Sequence, residues 1–235
     1  MIDFATTKNY ANLKKLVLCS NKIKEDGAKE LSRTGYMKSL EELVLKETQL
    51  GDEGCTNLMK SHSLLKTVVS LDLGLNNISH FGAEIIAKNA HLQNLSQLYL
   101  PRNDIQDSGL IQIASSNFIK NILDFDISQN NITHVGVVAI AESEVFRNIK
   151  KLNIAENKLG EAGAKELTDS ANFLQLQVLD IKYNEIGSEG GSFFVDSYAF
   201  PMLNKLDIFY GNNIDEAIKK AIHKSKNLRN LTHLK

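Results

Sequence analysis

Apolar residues recur along the chain at Leu13, Leu40, Val68, Leu95, Ile122, Ile149, Leu176 and Leu203, in steps of 27 residues with a single step of 28. Taking each as position 1 of a unit, position 4 is Leu16, Leu43, Leu71, Leu98, Phe125, Leu152, Leu179 and Leu206. Position 6 is Leu18, Leu45, Leu73, Leu100, Ile127, Ile154, Ile181 and Ile208. At the chain's hydrophobic content of 43%, independent placement would fill all three columns with odds on the order of 1 in 10⁹, so the period is a structural repeat. The Leu-x-Leu alternation predicts a short, half-buried strand in each unit.

The pattern then changes. Asn21, Asn76, Asn103, Asn130, Asn157 and Asn184 follow the strands, then Ile23, Leu50, Ile78, Ile105, Ile132, Leu159 and Ile186. Four residues later stand Gly27, Gly54, Gly82, Gly109, Gly136, Gly163 and Gly190, and four beyond those Leu31, Leu58, Ile86, Ile113, Ile140, Leu167 and Phe194. This i, i+4 spacing predicts a helix with one stripe packed inward. Small residues after the glycine (Ala28, Cys55, Ala83, Ala164) allow helix and strand to approach. Ser79 and Thr133 fall at N-cap positions, and Asp52, Asp107 and Glu161 lie in first turns, where carboxylates suit the positive helix end. Thr48 and Gly211 stand where the other units have Asn, with Ile214 displaced by one, so looser turns are expected at both.

The unit Ile149-Lys150-Lys151-Leu152-Asn153-Ile154-Ala155-Glu156-Asn157-Lys158-Leu159, continued through Gly163-Ala164 to Leu167, resembles the leucine-rich repeat of the long, ribonuclease-inhibitor-like subtype. The resemblance implies an α/β solenoid, a curved horseshoe segment with a parallel sheet on the concave face and helices on the convex face, in about eight repeats of 27–28 residues. One unit cannot bury its own apolar face, so stacking supplies the core. The expected organisation is a lead-in at 1–12, repeats at 13–214, and a C-terminal capping helix and tail at 215–235, with an amphipathic helix from Asp215 to His223. Leu228, Leu231 and Leu234 begin a degenerate ninth strand, which leaves open that the chain is a piece of something longer.

Strand alternation turns positions 3, 5 and 7 outward on the concave face. The position-5 row reads Val17, Val44, Asp72, Tyr99, Asp126, Asn153, Asp180 and Asp207, without a positive charge. Lys182 and Phe209 are at position 7, Tyr183 and Tyr210 one residue on. Strands about 4.8 Å apart bring Tyr183, Phe209 and Tyr210 into one aromatic cluster rimmed by Asp180, Asp207 and Lys182, as interface anchors are arranged. The alternative is that the C-terminal segment folds over this cluster. The candidate partner-binding residues are therefore Asp72, Tyr99, Asp126, Asn153, Asp180, Lys182, Tyr183, Asp207, Phe209 and Tyr210. Lys151 offsets Asp124, and a cation at Asp124, Asp126 and Asn153 lacks the roughly six oxygen ligands a hard ion takes.

Composition narrows the function. The net charge is −1, and the 27 basic residues include only four Arg, so nothing favours a nucleic-acid partner. No apolar stretch approaches the roughly 18 residues of a membrane span. Two Cys cannot form a disulfide framework; Cys55 reads as core and Cys19 as an outward thiol. His80 and His134 recur two units apart, about 10 Å, too far for one metal ion. The Gly51–Gly54, Gly160–Gly163 and Gly187–Gly190 pieces are by-products of the repeat and lack the Lys-Ser/Thr of a phosphate loop. No catalytic, metal or cofactor site is predicted.

These readings converge on a non-enzymatic module, monomeric alone, that presents its concave face to another protein. The resemblance leaves two alternatives: a small-GTPase regulator, since similar repeats occur in activators of the Ran GTPase, and an excised sensor domain of a larger receptor. The 23 Lys against four Arg suggest an A+T-rich genome. A cytoplasmic protein is expected from the N-terminal residues, or one in the host cytosol if it is a bacterial effector.

Overall fold

A computed structural model describes residues 10–235; the predicted lead-in at 1–12 lies mostly outside them. Nine parallel strands form one sheet in chain order: β1 (Lys15–Val17), β2 (Glu42–Val44), β3 (Ser70–Asp72), β4 (Gln97–Tyr99), β5 (Asp124–Asp126), β6 (Lys151–Asn153), β7 (Val178–Asp180), β8 (Lys205–Asp207) and β9 (His233–Leu234). The register aligns position 4 throughout, pairing Leu16 with Leu43, then Leu71, Leu98, Phe125, Leu152, Leu179, Leu206 and Leu234. Strands span only positions 3 to 5, with position 4 inward. The degenerate ninth strand is present, and β9 forms the sheet's last edge.

The helices are α1 (Lys24–Ser32), α2 (Gly51–Leu58), α3 (His62–Leu65), α4 (His80–Ala87), α5 (Gln106–Ala114), α6 (His134–Glu142), α7 (Gly160–Asp169), α8 (Gly187–Asp196) and α9 (Glu216–His223). Each unit buries its glycine-containing stripe: in α7 these are Gly163, Ala164 and Leu167. The amphipathic helix expected from Asp215 to His223 is α9, started by Asp215, whose carboxylate accepts from the Ile218 N–H at 2.9 Å. It packs on α8 and buries Ile222 as α8 buries Phe194.

Ser79 and Thr133 cap α4 and α6, each accepting from the N–H two residues on. Asp52 and Asp107 lie in the first turns of α2 and α5, as expected, and also bond the next coil. Asp107 accepts from Thr133 N (2.8 Å), Thr133 Oγ1 (2.6 Å) and Gly136 N (3.0 Å), and Asp52 holds Ser79 and Gly82 in the same way. Gly136 gives this carboxylate room: a Cβ there would stand 2.6 Å from Asp107 Oδ1, so the side chain would have to shift.

The asparagine column ties each coil to the preceding one. Asn157 donates from Nδ2 to Ile127 O (3.1 Å), Ile154 O (3.0 Å) and Ala155 O (3.2 Å), while its Oδ1 accepts from Asn130 N (2.9 Å) and Ile132 N (3.0 Å). Both turns expected to be looser are hydrogen-bonded. Thr48 is fully buried and its hydroxyl donates to Leu45 O at 2.6 Å, replacing the asparagine donor within its own unit. In the eighth unit Asn212 does the column's work one residue late: it is fully buried, donates to Ile181 O and Ile208 O, and accepts from Asn184 N. Gly211, at φ +69°, absorbs the extra residue.

A second ladder runs at the opposite corner of each coil, where the sequence reading placed nothing. Ser116, Ser143, Ser170, Ser197 and Ser225 donate to the carbonyls of Ala87, Ala114, Ala141, Thr168 and Val195, each near the helix end of the preceding unit. Three residues after each serine comes a buried apolar residue (Ile119, Phe146, Phe173, Phe200, Leu228), and the rings of Phe173 and Phe200 stack at 6.1 Å. In the 28-residue unit this corner is rearranged. The extra residue makes the helical turn α3, Ser63 takes the bond to Thr34 O at 2.7 Å, and the buried Ser61 hydroxyl is left without a hydrogen bond.

Candidate functional site

The register that aligns the core also aligns the position-5 row. Val44 stands beside Asp72, then Tyr99, Asp126, Asn153, Asp180 and Asp207, each directly opposite the next. With neighbouring strands about 4.8 Å apart, Asp72 to Asp207 forms a file of about 24 Å on one face of the sheet.

Backbone and neighbours hold each side chain in this file. Asp72 Oδ1 accepts from Gly74 N at 2.9 Å. Burial pushes the Asp72 carboxyl above the usual aspartate range; the Gly74 bond and the Lys46 charge oppose that, and the Asp126 charge adds to it. Asp126 accepts from Ser128 N (2.9 Å) and Ser128 Oγ (2.7 Å) on one oxygen and from Asn153 Nδ2 (2.9 Å) on the other. Lys151 pairs with Asp124 at 3.1 Å, as its place in the adjacent unit predicts. With these oxygens engaged by a lysine and by protein N–H and O–H donors, the group at Asp124, Asp126 and Asn153 is not arranged around a cation. Tyr99 rises between Asp72 and Asp126. Burial first, then the charge of Asp124 and a hydrogen bond to it, hold its hydroxyl above the usual tyrosine range.

Towards the C-terminal end the file is paired along the chain. Lys182 bridges Asp180 at 2.9 Å, and that contact raises the lysine above its ordinary value. Lys205 bridges Asp207 at 2.9 Å, while the buried Oδ1 of Asp207 has no hydrogen-bond partner.

The expected aromatic cluster divides. Tyr183 and Tyr210 are 51% and 57% exposed. Phe209 leaves them: its ring packs 6.0 Å from His223 of α9, with Lys219 of the same helix 5.7 Å from the ring centre. The C-terminal helix thus takes one of the three rings, the alternative raised for the whole cluster. Tyr183 lies so close to Gly211 that a Cβ there would stand 2.0 Å from the Tyr183 ring, so the inserted glycine makes room for the tyrosine.

His80 and His134 begin α4 and α6, and Cys55 is fully buried, with its thiol pushed up to about 12 by burial. Among the described residues no group of three or more His, Cys, Asp or Glu side chains is placed to hold a metal ion, and no helix is long and apolar enough to cross a membrane.

An open parallel sheet in which each of the first eight strands is followed by a helix, with side-chain ladders joining consecutive coils, defines an α/β solenoid. A sequence model described as leucine-rich repeat matches residues 36–59, 91–114, 120–141, 147–167 and 176–195. Together with the observed coils, these matches make the fold a leucine-rich-repeat solenoid. A solved structure titled "Crystal structure of TLR13-ssRNA13 complex" superimposes with a TM-score of 0.53 over 99% of this chain at 18% identity. The chain spans 34% of that structure's chain, and at this identity the likeness concerns the fold. No curated protein matches.

Proposed function

We propose that the chain is a non-enzymatic protein-binding module that presents the strand face from Asp72 to Asp207, with Lys182, Tyr183 and Tyr210 at its C-terminal end, to a protein partner. The observation that carries this reading is the unbroken position-5 row, six side chains in one register file on a frame joined coil to coil by buried hydrogen bonds. A rigid array loses little entropy on docking. The 27-residue coil with a full helical turn also supports placing the repeats in the ribonuclease-inhibitor-like subtype.

The structure of similar fold is titled as an RNA complex, but the row here carries Asp72, Asp126, Asp180 and Asp207, which repel phosphate, so a protein is the favoured partner. The test is capture by the intact chain compared with Tyr183→Ala/Tyr210→Ala and with Asp126→Lys. Loss of the captured protein with an unchanged melting temperature supports the surface. Retention by both variants overturns it, as does tight binding of single-stranded RNA through the same residues. Single-turnover GTP hydrolysis with small GTPases checks the regulator alternative, and no acceleration is expected.

A further inference from the structure

Stacked coils place equivalent positions about 4.8 Å apart, so histidines one unit apart must meet, whereas His80 and His134 are two units apart. The longer second unit creates such a pair. Its extra turn α3 begins at His62. In the following coil Asn89 donates to Met59 O at 2.6 Å and accepts from His91 N at 2.9 Å, which fixes the His91 backbone against the same corner. The two imidazole centres are 4.3 Å apart with ring planes inclined at 51°.

The pair lines a concavity with Lys66, Gln93 and Asn94, and no carboxylate lines it. The amide nitrogens there are committed: Gln93 Nε2 donates to Ala90 O at 3.1 Å and Asn94 Nδ2 to Lys66 O at 2.8 Å. The amide oxygens are therefore the free ends of those side chains. Two imidazoles with amide oxygens suit a borderline cation and not a hard one, which seeks carboxylates. With metal–nitrogen bonds of about 2.1 Å, two imidazoles on one ion at 90–110° have centres about 4.5–5.2 Å apart, so these rings need part by less than about 1 Å.

We propose that His62 and His91 bind one divalent transition-metal ion of the zinc, copper or nickel class, with amide oxygen from Gln93 or Asn94 and water completing its ligands. The ion would join the second and third coils at the corner where the serine ladder is interrupted and Ser61 lacks a partner. Of the residues lining the concavity Lys66 carries the opposing charge, and its exposed, flexible stem can carry the ammonium away.

The experiment is calorimetric titration of the full chain, in a Cys19→Ser background, with Zn²⁺ and separately with Cu²⁺, followed by electron paramagnetic resonance of the copper form. One ion per chain is expected, with nitrogen coupling from two imidazoles. His62→Ala and His91→Ala should each weaken binding by about tenfold or more, and His80→Ala should leave it unchanged. Circular dichroism identifies a variant that has not folded, and His62, on an exposed turn, is the safer of the two. Absence of saturable binding overturns the proposal, as does equal affinity in folded His62→Ala, or inorganic phosphate binding to this corner at neutral pH in place of metal.

Discussion

Replacing Asn157 with alanine tests whether the side-chain ladder, rather than the apolar columns alone, holds the coils together. The substitution removes five hydrogen bonds with unequal consequences. The three carbonyls that lose a donor each keep another: Ile127 O retains Asn130 Nδ2, Ile154 O retains Asn184 Nδ2, and Ala155 O retains Gln129 N. The N–H groups of Asn130 and Ile132 lose the Asn157 oxygen at a buried turn. A stranded buried donor costs about 1–3 kcal/mol, so the two together cost about 2–6 kcal/mol. A chain of this length has an unfolding entropy of about 0.5 kcal/mol/K, which turns the loss into a drop of about 4–12 °C in melting temperature. Asn21 is the internal control: it is exposed and, among the described residues, donates within its own unit, to Leu18 O and Cys19 O, so Asn21→Ala should cost below about 1 kcal/mol. Urea unfolding followed by circular dichroism measures both. Equal midpoints for the two variants would refute the inter-coil account of the asparagines.

Two glycines separate backbone strain from crowding. Gly160→Ala meets open space at φ +62° and should cost about 1–2 kcal/mol of left-handed strain, whereas Gly136→Ala drives a methyl into Asp107 and should cost about 1–3 kcal/mol and disturb the α6 N-terminus, checked by urea unfolding and amide exchange at Thr133 and Gly136. Thiol titration of the native protein should detect one fast-reacting group, Cys19, and a second only on denaturation, because Cys55 is fully buried with its thiol at about 12. Asp72 has a folded pKa raised above its unfolded value, so its ionisation opposes folding. Its unfavourable contribution is present above the folded pKa and is relieved as pH falls through the window between the raised value and the ordinary aspartate range. Asp72→Asn should therefore raise the urea midpoint at pH 7 and flatten that part of the pH profile, and a lowered midpoint would contradict the burial argument.

The columns legible in the sequence are those where one physical demand admits few residue types. Leucine in the strand, asparagine after it and glycine in the helix each recur because every coil needs the same fit. The serine ladder and the apolar residue three places later recur at 27–28 residues too, but over five units only. Thr48 and Asn212 misled because the demand is for a donor at a point in space: a hydroxyl one atom shorter, or an amide displaced by one residue beside Gly211, meets it. The candidate face was legible as a row, since alternation and register follow from the period. Which rings stay open was not, because Phe209 is claimed by Lys219 and His223 of α9, an encounter no local spacing encodes. The His62–His91 pair was hidden because the two histidines are 29 residues apart, one more than even the longer 28-residue step, and so fall in no common column.

The residues that stabilise the solenoid and those that make its outward face distinctive are almost disjoint. Core columns and both polar ladders lie in the interior and could fold the chain beneath any tolerable strand face. The position-5 row contributes little to that interior and in places opposes it: Asp72 is held partly buried with a raised pKa, Tyr99 lies between carboxylates, and one oxygen of Asp207 is buried without a partner. Surface ion pairs such as Lys182–Asp180 return at most about 1 kcal/mol. A sheet face arranged for folding alone would place threonine or serine at these positions and avoid the desolvated carboxylates. Local rules broken together on one face, while the repeat obeys them elsewhere, are the pattern expected of a surface whose requirement is contact with another molecule.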